Sequence, residues 1–379
     1  MTPTQARPPL RGAAWPRVLA AAVASCCIAL GVMAAPATAA APARSAATSI
    51  ATTVAPAAAP VAAPVTAAAT QNVTITSASN NRRLDVQNGS RGDGAYIVTN
   101  SAPGYHQSWS LSVDPADFSF AIVNDTTGKC IDVSWPALRQ QTCRGQASQK
   151  WYFQPVSGSR TVFLIRNAGD NSCLDLVGNA QYDDAWTGKS NCHGGVNQRW
   201  TTTATAAFDL AVDRGAKMCQ KDTSTCTWAV KSEAPAAPLP KVCASAVWYN
   251  NSSSAVSQSF SVTKTTGWQS NITSTISADL AAGAAPALQT RVSSTLSFSN
   301  TWHGSTSVGD AIQVSVPEKQ YGWVTLSVLA RKVTGTWTFD ARGLPWQAED
   351  TVTVPVKDDP AGGATVYIAN TSPTFTSCA

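Results

Sequence analysis

The stretch CLDLVGNAQYDDAWTGKSNCHGGVNQRW, residues 173–200, decides the fold, because its two ends occur three times in the chain. Its closing Gln198-Arg199-Trp200 recurs as Gln149-Lys150-Trp151 and Gln107-Ser108-Trp109, at spacings of 49 and 42 residues. Its opening Cys173-Leu174-Asp175-Leu176 recurs as Cys130-Ile131-Asp132-Val133 and Arg83-Leu84-Asp85-Val86, with the aspartates 43 and 47 apart. Each unit reads strand, polar turns, strand, then Gln-x-Trp. Short apolar alternation broken by Gly, Asn and Asp is the pattern of β-structure. One unit of about 45 residues cannot bury its apolar face alone, but three around an axis can. Trp109, Trp151 and Trp200 are then the core of the shared centre.

Three Gln-x-Trp repeats in register with a Leu/Ile-Asp-Val/Leu opening resemble the ricin B-type lectin domain, a β-trefoil, over residues 70–203. The resemblance implies sugar binding by a fixed chemistry. The Asp after the first strand accepts hydrogen bonds from sugar hydroxyls. An Asn before the Gln-x-Trp supports it, and an aromatic ring two residues before the second Cys stacks on the sugar. The third repeat keeps Asp175, Asn197 and Gln198, with His193 nearby, but has Ser190 at the stacking position. The second keeps Asp132, with Gln141 in place of the ring and Ser148 in place of the Asn. The first keeps Asp85, with Asn100 and His106 and no cysteines. Asp175, Asn197, Gln198, His193, Asp85 and Asp132 are therefore the candidate carbohydrate-binding residues. The competing reading of each Asp is a turn cap that bonds local backbone. Tyr96 and Trp186, at equivalent places in their repeats, are candidates for a displaced platform or else ordinary aromatics.

The N-terminus carries Arg7, Arg11 and Arg17, an apolar run Val18–Ala35 and the small-x-small site Ala37-Thr38-Ala39. That is the layout of a secretory signal peptide over 1–39. Residues 40–69 are Ala, Pro and Thr-rich and read as a disordered linker. The expected location is extracellular, with a cleaved signal. Export puts the eight remaining cysteines in an oxidising compartment. Eight cysteines allow 105 pairings, and spacing selects among them. Cys130–Cys143 and Cys173–Cys192 each close a loop inside one repeat. Cys219–Cys226 staples a turn within a second linker, 204–240. Cys243–Cys378 ties the ends of the last domain, 241–379, together. Zinc would require close Cys-x2-Cys pairs, and the sequence has none, so no metal and no cofactor are expected. With the three leader arginines set aside, 24 basic residues face 22 acidic ones, too small an excess for a nucleic-acid partner.

Residues 241–379 show alternation. Even positions from Val256 include Phe260, Val262, Trp268, Ile272, Ile276 and Leu280, and the odd positions between them are polar. The pattern breaks at Ala281–Ala287 and resumes through Leu288, Val292, Leu296, Phe298 and Trp302. Read with a period of two, these are two long strands joined by a small-residue turn. A transmembrane β-strand needs about 9 to 11 residues of this kind. An insertable hairpin over about 266–302 would put Trp268, Ile272, Ile276, Leu280, Val292, Leu296 and Phe298 in lipid. A single hairpin leaves backbone groups unpaired in a bilayer, so insertion implies a homo-oligomer. The competing reading is a long hairpin in a soluble sandwich. Val247-Trp248-Tyr249-Asn250-Asn251, Ser299-Asn300-Thr301-Trp302 and the strands at 312–320 and 324–328 resemble, in order, the aerolysin and epsilon-toxin-like family of β-pore-forming proteins.

The expected fold class is thus all-β: a β-trefoil plus an elongated, aerolysin-like antiparallel domain. The two resemblances together imply a secreted lectin-targeted pore-forming protein. Its partners would be cell-surface glycans or polysaccharide, then membrane lipid after oligomerisation. The alternatives are a non-lytic secreted lectin or adhesin, and a carbohydrate-binding appendage of a polysaccharide-degrading enzyme. A glycosidase needs two carboxylates across a cleft. The C-terminal region offers mainly the adjacent pairs Glu349-Asp350 and Asp358-Asp359, and His106, His193 and His303 fall in unrelated contexts. No catalytic residue and no enzymatic activity are expected.

Overall fold

A computed structural model describes residues 70–133, 135–262, 267–302, 311–340 and 343–378. The expected signal peptide and the 40–69 linker lie outside the described residues.

Residues 75–202 form a twelve-stranded antiparallel sheet system closed on itself. The first strand, Ile75–Ser77, pairs with the last, Trp200–Thr202, in the register Ile75↔Thr202 to Ser77↔Trp200. The Gln-x-Trp tripeptides behave alike in all three repeats. Each Trp is fully buried. Its indole N–H donates at 3.1 Å to the carbonyl before the repeat's Asp: Trp109 to Leu84, Trp151 to Ile131 and Trp200 to Leu174. A buried indole has one donor that must be satisfied, so this bond fixes the distance between the two ends of every repeat.

The repeats also close on one another at the hairpin end. Leu138 N–H donates to Thr187 O and Ile97 N–H to Leu138 O, both at 3.0 Å, and Thr187 Oγ1 donates to Ile97 O at 2.7 Å. These three residues are fully buried or nearly so and run around the pseudo-threefold axis. Tyr96 pairs with Arg139, Ala137 with Gly188, and Trp186 with Val98.

The segment 204–240, expected to be a linker, is instead structural. Helix α1, Ala207–Lys221, packs on the strand Trp151–Pro155 of the trefoil, and Cys226–Glu233 enters the C-terminal sheet. Buried Asp213 and Arg214 interrupt the apolar face of α1, which hid its helical period. Arg214 Nη1 donates to Asp117 O and Oδ2 at 3.0 Å, with its guanidinium 4.2 Å from the Tyr152 ring. Arg166 pairs with Asp340 across the same boundary at 2.9 Å. Apolar packing is continuous from the trefoil core through Phe208, Trp228, Trp337 and Trp346.

The C-terminal region is built on a sheet in the order Cys226–Glu233, Leu329–Phe339, Trp346–Val356 and Gln269–Ser270. A second sheet centres on Tyr321–Ser327, and Val256–Ser261 pairs with Ala311–Val316. The long antiparallel pair is Leu329–Phe339 with Trp346–Val356, not 256–302. The expected pair of long strands over 266–302 is not formed. Its arms contain two helices, α2, Ser274–Ala281, and α3, Pro286–Ser293. Trp268, Ile276, Leu280 and Val292 are buried in the main core, and Ile272, Leu296 and Phe298 pack against it.

The reason is arithmetic. Ile272, Ile276 and Leu280, like Leu288, Val292 and Leu296, recur every four residues. A step of four is even, so it suits a strand face, but it is also one helical turn. The caps decide between them. Thr273 accepts from Ile276 N–H, Gly283 ends α2 at φ 71°, and Pro286 opens α3, the usual signals of helix start and stop. The lipid and homo-oligomer partners were expected from the strand reading of these arms.

All four disulfides join the expected pairs: Cys130–Cys143, Cys173–Cys192, Cys219–Cys226 and Cys243–Cys378.

Candidate functional site

The third repeat brings its predicted residues together. Asp175 lies on the strand Cys173–Leu176, opposite Gly188 of Ala185–Ser190. Asn197 and Gln198 come from the short 3-10 turn before Trp200. The Trp200–Leu174 bond pulls that turn against the strand and sets the Asp beside the amides. Asn197 Nδ2 donates to both oxygens of Asp175 at 3.0 Å, and Gln198 Nε2 donates to Oδ2 at 2.9 Å. Gln198 also holds the loop around the acid: its Oε1 accepts from His193 N–H at 2.8 Å and its Nε2 donates to Asn191 O at 3.0 Å. A carboxylate has about four acceptor sites. Three donated bonds leave Asp175 with capacity for a hydroxyl, in a fixed orientation.

His193 completes the rim. Its Nδ1 accepts from Gly195 N–H at 3.1 Å, which puts the ring proton on Nε2 in the neutral form. Nε2 lies 3.7 Å from Asp175 Oδ2. That is too long for a direct hydrogen bond and short enough for one hydroxyl to touch both groups. The position opposite Cys173 is Ser190, a small side chain.

The first repeat is arranged differently. Asp85 accepts from Gln107 Nε2 at 2.9 Å, as Asp175 does from Gln198, but Asn100 Nδ2 also donates to it at 3.1 Å. Asn100 is held in turn by Asp184, which accepts from Nδ2 and donates its N–H to Oδ1 at 2.7 Å. Arg82 and Ser101 tie Asp183 to the same place. A loop of the third repeat thus ties down Asn100, the amide that bonds Asp85. His106, where the third repeat has Asn197, packs on Gly89, where a Cβ would come 2.5 Å from its ring.

In the second repeat Ser148 Oγ donates to Asp132 at 3.3 Å, and Gln149 Nε2 is spent on Thr142 O. Asp132 is only 3% exposed. The six candidates therefore sort by partners: Asp175 is held by Asn197 and Gln198 with His193 at its rim, Asp85 by Gln107 and Asn100, and Asp132 by Ser148, with Asp175 8% and Asp85 9% exposed. Tyr96 and Trp186 stack on each other with centroids 5.0 Å apart. Trp135 and Arg139, which extend that stack, were missed. Their signal in sequence is only their place beside Ala137, the second repeat's equivalent of Tyr96 and Trp186.

Residues 71–200 match the family model of the ricin-type β-trefoil lectin domain. Among solved structures the chain is similar to a designed threefold-symmetric protein, ThreeFoil, at 26% identity and TM-score 0.32, covering 34% of this chain and 96% of that one. It is similar to the C-half of an earthworm R-type lectin in complex with GalNAc, at 22% identity and TM-score 0.29, covering 35% and 97%. It is also similar to an exo-β-1,3-galactanase from Clostridium thermocellum, at 25% identity and TM-score 0.33, covering 35% of this chain and 30% of that one.

Proposed function

We propose that the protein is an exported lectin that binds carbohydrate through the third trefoil repeat. One observation carries this: Asp175 is oriented by two amides, whose bonds leave acceptor capacity on the carboxylate, and His193 Nε2 stands 3.7 Å from it. Asp175 and the Asn197 amide oxygen supply acceptors for vicinal hydroxyls, and His193 adds a donor at the rim. Without a stacking ring the single site is weak, and useful retention comes from repeated ligands and local concentration. The target is a polysaccharide or a glycan-dense surface.

The reading is of a binding protein rather than a hydrolase. Glu349 and Asp350 are adjacent on one strand and so point to opposite faces. Glu349 is exposed and pairs with Lys231, whereas buried Asp350 accepts from Ser270, Asn271 and Trp337. A pore-forming role gains nothing from α2 and α3, whose apolar faces are already spent on the core.

A glycan array followed by titration calorimetry tests the proposal. The expected result is saturable binding of a neutral glycan by the wild type that is lost in Asp175→Asn. Absence of any glycan partner, or equal binding by the variant, would overturn it.

A further inference from the structure

We propose a second, separate ligand site at the hairpin end of the trefoil, built to take a sugar residue that carries a carboxylate or sulfate. It goes beyond the Asp175 reading and does not depend on it.

Four planar groups are layered there. Trp186 stacks on Tyr96 with 9° between the planes. The Arg139 guanidinium lies 4.6 Å from the Tyr96 centroid and 5.2 Å from that of Trp135. The third, first and second repeats each contribute, through the cyclic pairings around the axis. The backbone beneath is fixed by the Ile97, Leu138 and Thr187 hydrogen bonds, so the platform is preorganised and binding loses little rotamer freedom. Yet the two outer rings are open: Trp186 is 49% exposed and Trp135 40%. Clustered exposed Trp marks a contact surface rather than a core.

Arg139 gives the charge of the occupant. Four other arginines, Arg82, Arg166, Arg214 and Arg331, each pair with an aspartate. Arg139 has no carboxylate partner among the described residues. Its one hydrogen bond is from Nη2 to Tyr96 Oη at 3.1 Å, and its Nε is buried without a partner. An apolar protein partner would desolvate this cation and leave it uncompensated, which is costly. A nucleic acid would call for several basic groups on its phosphates, and the stack holds one. A pyranose with an acidic group matches both features: its C–H face lies on an exposed indole while the anion accepts from the guanidinium edge.

The test uses the full chain carrying Asp175→Asn, so that the first site cannot supply the signal. Oligogalacturonate, a neutral malto-oligosaccharide of equal length and a single-stranded oligonucleotide are each titrated calorimetrically. The expected result is at least tenfold preference for oligogalacturonate, weakened by salt. Arg139→Gln and Trp186→Ala should each lower that affinity tenfold or more. Trp135→Ala changes only an exposed ring and serves if Arg139→Gln does not fold. No preference for the acidic sugar, tighter binding of the oligonucleotide, or variants that bind like their parent would overturn the proposal.

Discussion

Asp213 on α1 accepts a hydrogen bond from Thr273 Oγ1 at 2.6 Å, and Thr273 is the residue that caps α2 by accepting from Ile276 N–H at 3.1 Å. One hydroxyl thus links a buried acid to a helix start. Asp213 is 2% exposed. Burial pushes its carboxyl up to about 6; bonds from Thr273 and Thr275 act against this, and the nearby Asp209 and Asp279 add to it. Asp279 is itself paired with Lys217 at 2.9 Å.

A carboxyl whose folded pKa is raised holds its proton after the unfolded chain has lost its own. Its contribution to stability is therefore present below pH 3.8, declines as pH rises toward about 6, and stays lost above. About two units correspond to up to ~3 kcal/mol. Asp213→Asn keeps an acceptor for Thr273 and removes the buried charge. The variant should match the wild type near pH 4 and exceed it by about 1–3 kcal/mol at pH 8. Denaturant unfolding at several pH values checks this, and a less stable variant at pH 8 would refute it.

Gly215 sits within α1, where Ala ordinarily improves a helix by about 1 kcal/mol. Here a Cβ would lie 2.8 Å from the Phe339 ring. Phe339 is itself held by Trp346, with centroids 5.0 Å apart. Overpacking of this kind costs about 1–3 kcal/mol, so it outweighs the propensity gain. Gly215→Ala should lower the melting temperature, and a rise would show that the ring has room to move.

Ile276 on α2 and Leu288 on α3 are 3% and 1% exposed. Truncating either to Ala should cost about 2–5 kcal/mol. Residues held in reserve for a membrane would tolerate the change with little loss. Chemical denaturation of the two variants separates these outcomes.

The trefoil was legible in the sequence because its constraint repeats. Three indoles each need an acceptor, and three Leu/Ile carbonyls stand at matching places. The C-terminal region has no repeat to average over. Its Ile272, Ile276, Leu280 series satisfied two periods at once, and the turn chemistry of Thr273, Gly283 and Pro286 carried the deciding information. Helix α1 was hidden because Asp213 and Arg214 occupy its inner face, each paid for by a partner far away in sequence. Asp175, Asn197 and Gln198 were readable through the resemblance of the repeats to the ricin B-type lectin domain. The hold on Asn100 beside Asp85 was not, because Asp183 and Asp184 reach Asn100 and Ser101 from another repeat.

Cys243–Cys378 closes a loop with a sequence separation of 135. It fixes the chain beyond Val366–Ser372, an edge strand that pairs with Tyr321–Ser327. A loop of that length restricts the unfolded chain by about 4–5 kcal/mol in the entropic account. Replacing both cysteines by Ser should lower stability by a few kcal/mol and release the C-terminal strand to proteolysis first. Limited proteolysis with mass spectrometry reads the order of cleavage. An initial cut inside the trefoil would contradict it.

Ser190 offers a gain-of-function test of the binding reading. It pairs with Cys173 at the edge of the space beside Asp175, where a ring would lie against a sugar held by the acid. Ser190→Tyr adds that ring at a partly exposed position, so folding should be little affected. A tenfold gain in affinity, about 1.4 kcal/mol, is the size expected of one stacking contact. Asn100→Ser makes the opposite change in the first repeat. It removes the amide that covers Asp85 and should open a second, weaker site, raising the calorimetric stoichiometry. If Ser190→Tyr binds no better while Asp175→Asn still abolishes binding, the sugar approaches from the His193 side. The ligand would then be held by hydrogen bonds between Asp175 and His193 rather than by its ring face.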